Sequence, residues 1–476
     1  MTVTYGQWTN NAYTSSTDSI GVMNKFTDEV IAEVGVASKA DFDSMVDSAE
    51  NVSASPLPPY KRFEILKKAS ELLKEKQHEF AEVIAKEVGK SITEATGEAG
   101  RSSLTLEVSA EEAKRISGEV VPVESAPGSE SRQAFTIKEP VGVIGAITPF
   151  NVPLNLVCHK VGPAIASGNA VILKPAEVTP LSALKLAEVF KEAGLPDGWL
   201  HVITGKGKDI GTWMTESERI QMITFTGSPG VGLWLKQHAG HKKVSLELGN
   251  NSAVVVHQDA DIETAAQQVA QKSFNNAGQV CISVQRVYVQ NDVKQAFLEK
   301  LKVETEKLVT GDPMDKNTDV GPVIGKDALQ RVSDWVKEAV DQGADVLTGN
   351  KIEGNIFLPT VLVDPPQEAK VCREEVFGPV VSVIGYQSEG EVIGLVNDSK
   401  YGLQAGLFTN DLTFMMKAAK EIKVGGLIVN DTSGYRVDHM PYGGLKESGE
   451  GKEGPKYAMQ DMMNERLIVL QGSAKR

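Results

Sequence analysis

The sequence predicts an α/β fold with two α/β domains and a smaller β element. Short apolar strands alternate with helix-like segments from residue 141 to 245, and a second alternation runs from about 252 to 429. Apolar strands separated by helices are typical of parallel sheets that are covered on both faces. The 476 residues suffice for two or three domains with substantial cores.

Helices and a hairpin precede the first alternation. Residues 38–118 predict helices, because the apolar residues between 62 and 73 recur at helical spacing. Residues 120–139 predict a β-hairpin, since two β-type runs flank a Pro-Gly turn. Residues 467–470 predict a short strand, for which the sequence shows no obvious partner.

The two α/β regions can be divided into elements and given boundaries. In the first, strands are predicted at 141–147, 170–173, 200–204 and 222–225, with a helix at 181–193. The second opens with a strand at 252–256 and a helix that Asp261 caps. We set the boundaries at 1–119 and 140–246 for the first domain, 247–445 for the second, and 120–139 with 446–476 for a β flap.

The composition is ordinary for a globular protein and disfavours several functions. The formal net charge of −14 argues against a nucleic-acid partner, which requires clustered Lys and Arg. The three cysteines are too few for a disulfide framework, and neither they nor the scattered histidines show metal-ligand spacing. We expect no metal. Because the chain shows no signal peptide and no apolar run of about 18 residues, we expect a cytoplasmic protein without a membrane partner.

Three stretches that follow predicted strands, at 174–177, 205–211 and 225–232, have features of nucleotide-binding loops. Lys174 and Glu177 are placed to face a ribose, and the charge of Glu177 would favour NAD over NADP. Ser228 can cap the next helix, whose free N–H groups suit a pyrophosphate. Neither this loop nor the run at 205–211 has the G-x-G-x-x-G spacing. On glycines alone, an ordinary strand–turn–helix explains them equally well.

Three residues suggest covalent catalysis when they are considered together. Asn151 ends a predicted strand, where its amide can donate to an oxyanion. Glu247 lies in an apolar run. A glutamate there is either part of a structural ion pair or a carboxylate whose pKa is tuned for proton transfer. Cys281 follows a small Ala-Gly step and is a candidate thiol nucleophile. Taken singly, a turn asparagine and an inert buried cysteine are the simpler interpretations.

With these residues in place, the chain resembles the NAD(P)-dependent aldehyde dehydrogenase superfamily over nearly its whole length. The resemblance implies that fold, with a Rossmann-like cofactor domain, a catalytic domain and a β oligomerisation flap. The matching stretches are Thr-Pro-Phe-Asn-Val-Pro-Leu at 148–154, Lys-Pro-Ala-Glu-Val-Thr-Pro at 174–180, Phe-Thr-Gly-Ser at 225–228, Leu-Glu-Leu-Gly at 246–249, Asn-Ala-Gly-Gln-Val-Cys at 276–281, Glu-Glu-Val-Phe-Gly-Pro at 374–379 and Met-Pro-Tyr-Gly-Gly-Leu-Lys-Glu-Ser-Gly at 440–449.

The resemblance implies a role for each matching residue. Cys281 attacks the aldehyde, Asn151 and the Cys281 backbone N–H hold the oxyanion, and Glu247 activates the water that hydrolyses the thioester. Lys160 matches a family lysine near the active site, whereas a role for Glu465 is doubtful because its surroundings depart from the pattern. The cofactor contacts implied are Thr148, Pro149, Phe150, Lys174, Glu177, Gly207, Phe225, Gly227, Ser228, Gly249, Glu375 and Phe377.

Two arginines and the residue before Cys281 bear on the substrate. Arg101 and Arg436 resemble positions where relatives that take anionic aldehydes carry arginines, and two guanidiniums suit such a group. Val280 replaces an arginine found in relatives that take phosphorylated aldehydes. The chain is most similar to the lactaldehyde, glycolaldehyde and sulfolactaldehyde branch. We therefore expect a short polar or anionic aldehyde, semialdehydes included, with aromatic aldehydes as the alternative.

Several functional alternatives stay open. A CoA-acylating dehydrogenase commonly lacks the base glutamate, so Glu247 argues against it. A non-catalytic relative would have lost Cys281 or Glu247, and both are present. NADP is kept beside NAD as a cofactor. The flap implies a homodimer or a homotetramer, because its unpaired edge needs a partner chain.

Overall fold

Two large, mostly parallel sheets form the framework of the protein, which is described by a computed structural model over residues 3–472. The strands in chain order are β1 Val3–Tyr5, β2 Trp8–Thr9, β3 Ala12–Tyr13, β4 Ser19–Met23, β5 Val30–Gly35, β6 Val120–Val121, β7 Arg132–Pro140, β8 Val143–Ile147, β9 Ala170–Lys174, β10 Leu200–Val202, β11 Met222–Thr226, β12 Lys243–Glu247, β13 Ser252–Val256, β14 Val284–Gln290, β15 Asp345–Thr348, β16 Ile352–Glu353, β17 Ile356–Phe357, β18 Thr360–Val363, β19 Val380–Tyr386, β20 Tyr401–Gly402, β21 Gln404–Phe408, β22 Gly426–Val429, β23 Leu445–Lys446, β24 Gly449–Glu450 and β25 Met463–Gln471.

Helices cover these sheets and fill the N-terminal region, where the sequence predicts them. They are α1 Lys39–Ser53, α2 Pro59–Glu75, α3 Gln77–Val88, α4 Ile92–Ala113, α5 Asn155–Ala166, α6 Leu181–Glu192, α7 Gly207–Glu216, α8 Pro229–His238, α9 Ile262–Phe274, α10 Asn291–Glu306, α11 Lys326–Asp341, α12 Lys370–Arg373, α13 Glu389–Asn397, α14 Leu412–Glu421 and α15 Pro455–Asp461. Asp261 caps α9 as predicted, since its side chain accepts a hydrogen bond from the Thr264 N–H. Within residues 3–472, no helix has both the length and the apolar character needed to cross a membrane.

The first large sheet has a point where its strand order reverses. Its order is β24-β12-β11-β8-β9-β10-β2-β3, and the strands from β12 to β10 are parallel. The chain moves outward from β8 through β9 to β10, and then returns to place β11 on the other side of β8. In open α/β sheets, ligands bind outside the carboxyl ends of the strands at such a reversal. The loops after β8 and β11 therefore border one crevice.

The second sheet is covered on both faces, as its apolar strands predict. Its order is β15-β18-β19-β14-β13-β21-β22, with only β15 antiparallel. Successive residues of β13 point to opposite faces. Ala253 and Val255 thus join one apolar cluster, and Val254 and Val256 join another. Because only residues 248–251 connect β12 to β13, the carboxyl edge of the first sheet adjoins the amino edge of the second.

The flap is a three-stranded antiparallel sheet in the order β25-β7-β6. The predicted hairpin is present, since β6 pairs with β7. The sequence shows no partner for the tail strand, but β25 pairs with β7 along its whole length, from Met463 to Gln471. Glu465 forms an ion pair with Lys138 across these two strands, so its side chain is engaged within the flap.

Only part of the predicted flap segment 446–476 pairs with the hairpin. The strand β24 extends the first sheet beside β12, β23 pairs with β20, and α15 packs against α5. Backbone pairing thus assigns residues before β25 to the α/β part of the molecule. Residues 1–2 and 473–476 of the predicted domains lie outside the described residues, and the remaining domain boundaries stay predictions.

Glu87 on α3 fixes the start of α6 from within the core. Its buried carboxylate accepts hydrogen bonds from the backbone N–H groups of Leu181, at 2.9 Å, and Ser182, at 3.0 Å. These are the first two residues of α6, and such N–H groups have no partner inside their own helix. The carboxylate therefore caps α6 and joins it to α3.

We expect Glu87→Ala to lower the free energy of unfolding by about 2–4 kcal/mol, because two buried N–H groups lose their partner. The matched control is Glu79→Ala, which removes an exposed carboxylate of α3 that pairs with Lys185 of α6. This substitution should lower the free energy of unfolding by less than about 1 kcal/mol. Chemical denaturation followed by circular dichroism measures both. Equal losses for the two variants would contradict the capping role.

Candidate active site

A cavity of about 1040 Å³ opens at the carboxyl edge of the first sheet. Its wall contains all twelve residues predicted to contact a cofactor, together with Asn151 and Cys281. The loops after β8, β9 and β11 meet there because the carboxyl ends of parallel strands share one edge. Glu247, Lys160, Arg101 and Arg436 belong instead to a group of charged residues beside the cavity.

Lys174 and Glu177 lie together on this wall. Lys174 ends β9, and its Nζ is 3.9 Å from Glu177 Oε1. The same Glu177 oxygen accepts a hydrogen bond from the N–H of Gly207, which begins α7. Burial lowers the pKa of Lys174, and the charge of Glu177 opposes that shift. A cationic donor and a carboxylate are thus available side by side to sugar hydroxyls.

The turn before α8 presents backbone N–H groups to the cavity. An added Cβ at Gly227 would lie 2.5 Å from the ring of Phe225, so the turn requires glycine. Ser228 occupies the N-cap position, but its hydroxyl makes no capping hydrogen bond. The prediction of a side-chain cap is therefore wrong; Pro229 sets the backbone of the first turn instead. The uncapped helix start, on the cavity wall, suits an anionic group such as a pyrophosphate.

The second domain supplies the opposite wall. Glu375 accepts a hydrogen bond from the Asn250 N–H at 3.0 Å, and burial raises the pKa of its carboxyl to about 7. A Cβ at Gly249 would lie 2.8 Å from Glu375 Oε2, so this carboxylate closely approaches the backbone of Gly249. The rings of Phe377 and Phe150 meet edge-on, with centroids 5.7 Å apart. A shaped, partly aromatic cleft results between the two domains.

The turn before Cys281 has an unusual backbone. Asn276, Ala277 and Gly278 are consecutive left-handed residues, with φ of 49°, 53° and 71°. Such angles cost energy in residues other than glycine, so the surroundings must hold them. The Asn276 N–H donates to the partly buried carboxylate of Glu94 at 3.0 Å, and Asn276 Nδ2 donates to Asn151 O at 3.2 Å. The turn is thereby anchored to α4 and to the loop that carries Asn151.

Asn151 is held by the same turn. Its Nδ2 donates to Gln279 O at 2.8 Å, and the second hydrogen on this nitrogen stays available to another acceptor. The side chain is buried, and its Oδ1 has no hydrogen-bond partner among residues 3–472. Buried amides are normally satisfied. An incompletely paired amide on the cavity wall, beside Cys281, therefore suits a polar group of a ligand.

Cys281 is the cysteine that the fold exposes to the cavity. Cys158 and Cys372 are buried in apolar clusters, whereas Cys281 is on the wall. Its Sγ lies 2.9 Å from Tyr442 Oη. Burial raises the pKa of the Cys281 thiol to about 11, while the Tyr442 hydroxyl and the charge of Arg436 act to lower it. The thiol thus has polar neighbours that favour its ionised form.

Glu247 ends β12 as a buried carboxylate. Neither of its side-chain oxygens has a hydrogen-bond partner in the described part of the chain. Burial raises the pKa of Glu247 well above its ordinary value; Glu453 raises it further, and Arg436 and Lys160 lower it. A carboxyl in this setting can accept a proton near neutral pH.

Glu453 is a buried carboxylate that the sequence analysis missed. Its Oε2 accepts a hydrogen bond from Arg436 Nη2 at 2.8 Å, and its Oε1 lies 3.5 Å from Lys160 Nζ. Burial alone would raise the pKa of Glu453, but Arg436 and Lys160 lower it to about 2. The sequence feature that could have identified Glu453 is its position just after the matching stretch at 440–449. Its neighbours in the sequence do not predict that it pairs with two buried cations.

The two predicted substrate arginines belong to one network. Arg101 donates to both oxygens of Asp438, at 3.0 and 2.7 Å. Asp438 also lies 2.9 Å from His159 Nε2, which in turn is 3.1 Å from Arg436 Nη2. Each guanidinium therefore already pairs with a carboxylate, Arg101 with Asp438 and Arg436 with Glu453. The sequence did not predict this neutralisation.

A family model, described as the aldehyde dehydrogenase family, matches residues 12–468. The chain belongs to the aldehyde dehydrogenase family. A 3-sulfolactaldehyde dehydrogenase of Priestia aryabhattai is 60% identical over 466 residues, which is 98% of each chain. A lactaldehyde dehydrogenase of Methanococcus maripaludis is 38% identical over 95% of this chain and 97% of the relative. The crystal structure of aldehyde dehydrogenase 21 from Physcomitrella patens, in complex with the reaction product succinate, has a TM-score of 0.97 at 37% identity and full coverage of both chains.

These findings confirm the family and the fold that the sequence motifs predict. In this aldehyde dehydrogenase, no group of three or more His, Cys, Asp or Glu side chains within residues 3–472 is arranged to hold a metal ion.

We expect Gly278→Ala to lower the free energy of unfolding by about 3 kcal/mol or more. A Cβ there would lie 2.1 Å from Gly378 O, in addition to the strain of a left-handed alanine. Gly128→Ala is the matched control, because Gly128 also has a positive φ, of 83°, but open space around its Cβ position. It should cost only about 1–2 kcal/mol. Similar denaturation curves for the two variants would show that the contact with Gly378 is unimportant.

Proposed function

We propose that this aldehyde dehydrogenase converts a short polar or anionic aldehyde to its carboxylate through a thioester on Cys281, with NAD as the hydride acceptor. The observation that carries the proposal is the convergence of Cys281 and Asn151 with the predicted cofactor loops on one cavity. Glu247 and its charged neighbours adjoin this wall. The cavity is large enough for a dinucleotide and a small aldehyde together.

Catalysis begins with the ionised sulfur of Cys281. The sulfur attacks the carbonyl carbon, a C–S bond forms, and the carbonyl electron pair becomes an alkoxide. The free hydrogen of Asn151 Nδ2 and the Cys281 backbone N–H donate to this alkoxide. NAD, when bound, supplies the acceptor for the hydride that leaves the same carbon. Cys281 then carries the acyl group as a thioester.

Glu247 serves the second half of the reaction. A water attacks the thioester carbon while a Glu247 oxygen accepts its proton. The C–S bond breaks, its electron pair returns to the sulfur, and the acid leaves as a carboxylate. The raised pKa of Glu247 suits a base that works near neutrality. Its presence favours water over CoA as the acyl acceptor.

The wall near Lys174 supports NAD as the preferred cofactor. Glu177 can accept hydrogen bonds from both hydroxyls of an adenosine ribose, and its charge would repel a 2′-phosphate. Gly207 holds one carboxylate oxygen in position. A Cβ at Gly227 or Gly249 would contact a neighbouring side chain of the cavity wall, so glycine allows both loops to pack closely there.

A sulfonated or carboxylated hydroxyaldehyde fits best among short aldehydes. The relative with 60% identity is a 3-sulfolactaldehyde dehydrogenase, and aldehyde dehydrogenase 21 binds succinate. Arg101 keeps its side chain 43% exposed while it pairs with Asp438. It is therefore the more accessible of the two arginines for an anionic substrate group. Lactaldehyde, which lacks that group, is the second candidate because of the 38% identical relative.

The flap supports a homo-oligomer, dimeric or tetrameric. Strand β25 lies at the edge of the flap sheet and exposes Leu467, Val469 and Leu470. An apolar edge strand is normally covered or paired. The cytoplasmic location stays a prediction from the sequence.

We expect Glu247→Gln to release about one equivalent of NADH per active site in a burst, followed by turnover at least about 100-fold slower than in the unmodified protein. The acyl group should remain on Cys281, where intact-mass spectrometry would detect it. The control is Glu465→Gln in the flap, which should keep full turnover. In the unmodified protein, hydrolysis should fall as the pH drops through the raised pKa of Glu247, because only the ionised form accepts a proton. Normal steady turnover by Glu247→Gln would refute the base role.

A substrate panel tests the aldehyde class. We expect kcat/KM to be highest for 3-sulfolactaldehyde, then for lactaldehyde and succinate semialdehyde, and at least about tenfold lower for benzaldehyde. For each aldehyde, kcat/KM should be higher with NAD than with NADP. Arg101→Gln should reduce the preference for sulfolactaldehyde over lactaldehyde about tenfold, because it removes a charge-assisted contact. A higher kcat/KM for benzaldehyde, or an unchanged preference, would rule out the anionic-substrate proposal.

A further inference from the structure

The phenol of Tyr442 contacts the nucleophile, although the proposed reaction gives it no role. Its Oη lies 2.9 Å from Cys281 Sγ, and Tyr442 is buried while Cys281 is partly exposed on the cavity wall. The ring packs with Ile282 and Leu403 in a small apolar cluster beside the thiol. Apolar packing would be served equally well by phenylalanine. A buried hydroxyl needs a partner, and here the sulfur is that partner.

Three contacts fix the position of this phenol. The backbone groups of Tyr442 and Glu453 exchange two hydrogen bonds, at 3.2 and 2.7 Å. The Glu453 carboxylate binds Arg436, and the Arg436 guanidinium lies 3.8 Å from the centre of the Tyr442 ring. These contacts form a closed loop, which runs from the backbone of Tyr442 through Glu453 and Arg436 back to the Tyr442 ring. The hydroxyl is held at the sulfur by groups that are hydrogen-bonded to, or stacked on, one another.

The neighbouring charges favour donation from the phenol to the sulfur. A guanidinium stacked on the ring interacts with its π electrons and stabilises negative charge nearby. Glu375 and Glu453 are the carboxylates whose charges oppose ionisation of Cys281, and Arg436 is the cation that favours it. The phenol adds the direct hydrogen bond to this balance. Donors aimed at a buried anion contribute more than they do in water.

We propose that Tyr442 is a catalytic hydrogen-bond donor that stabilises the ionised sulfur of Cys281, with Arg436 as its positioning residue. This assignment rests on the proposed thioester chemistry. When the sulfur attacks, its charge passes into the new C–S bond and the alkoxide, and the phenol keeps its own hydrogen. When water releases the acyl group, the C–S electron pair returns to the sulfur, and the same hydroxyl donates to the departing thiolate.

Gly443 extends this arrangement to the base. A Cβ at Gly443 would lie 3.0 Å from Glu247 Oε1, so the backbone beside Tyr442 runs directly past that carboxylate. Of two consecutive residues, Tyr442 therefore contacts Cys281 and Gly443 lies beside Glu247. This places the hydroxyl where both the attack and the release of the sulfur occur.

The test is the pH dependence of alkylation of Cys281 by iodoacetamide, read by mass spectrometry of the Cys281 peptide in full-length protein without aldehyde or NAD. In Tyr442→Phe, we expect the midpoint of the alkylation rate to shift upward by roughly one to two pH units, because the thiolate loses a charge-assisted hydrogen bond. The rate at high pH should be retained. An unchanged midpoint in folded protein would overturn the proposal.

The matched control is Tyr386→Phe, which removes a buried hydroxyl that donates to Val256 O at 3.5 Å in the core of the second domain. Its midpoint should equal that of the unmodified protein. An equal shift in both variants would assign the effect to general loosening and overturn the proposal. Since no aldehyde is used, this result is independent of whether the chain oxidises the aldehydes proposed above.

A second variant keeps the test decisive if Tyr442→Phe does not fold, as judged by circular dichroism. Incorporation of 3-fluorotyrosine at position 442 keeps the ring and makes the phenol a stronger donor. The midpoint should then move to lower pH, and the limb of kcat/KM on the acidic side should move with it. A midpoint that stays in place or rises would overturn the donor role.

Discussion

The ion pairs of Glu453 are the interaction on which the catalytic centre depends. The side chains of Lys160 and Arg436 are both nearly inaccessible to solvent, and a buried cation without a partner is strongly destabilising. One carboxylate meets both, with an oxygen for each. Because Arg436 also stacks on Tyr442, the same pairs position the side chain that contacts the nucleophile. Charge balance and geometry are therefore set by one residue outside the cavity wall.

A second constraint is the short connection between the two sheets. Residues 248–251 leave the carboxyl edge of the first sheet and enter the amino edge of the second. Glu247 ends one sheet, and the turn that carries Cys281 precedes β14 of the other. That turn needs three left-handed residues, and Glu94 and Asn151 from the first domain hold it. The backbone that presents Cys281, the proposed nucleophile, is thus held by contacts from both domains.

Many strands and site residues could be predicted from the sequence, but the strands and side chains that pair with them could not. Local periodicity identified β8, β9 and β11, and motifs at strand ends identified the cavity wall, because the carboxyl ends of parallel strands meet. The spacing of apolar residues indicates which face of a strand or helix is buried, but it does not indicate which element packs on that face. The pairing of β25 with β7 and the ion pair of Arg101 with Asp438 join residues over 300 positions apart. Such contacts depend on the assembled fold.

The two carboxylates beside the nucleophile show why that dependence matters chemically. Glu247 and Glu453 are both buried glutamates, and the motif that marks Glu247 does not reveal how the charge of Glu453 acts on it. Glu453 has two cations and stays ionised, with its pKa lowered to about 2. Glu247 has no hydrogen-bond partner in residues 3–472, and the charge of Glu453 raises its pKa further. Pairs of titratable groups whose surroundings separate their pKa values divide the work between them. Here the fixed charge orders Arg436 and Lys160, and the other carboxyl is left free to take a proton.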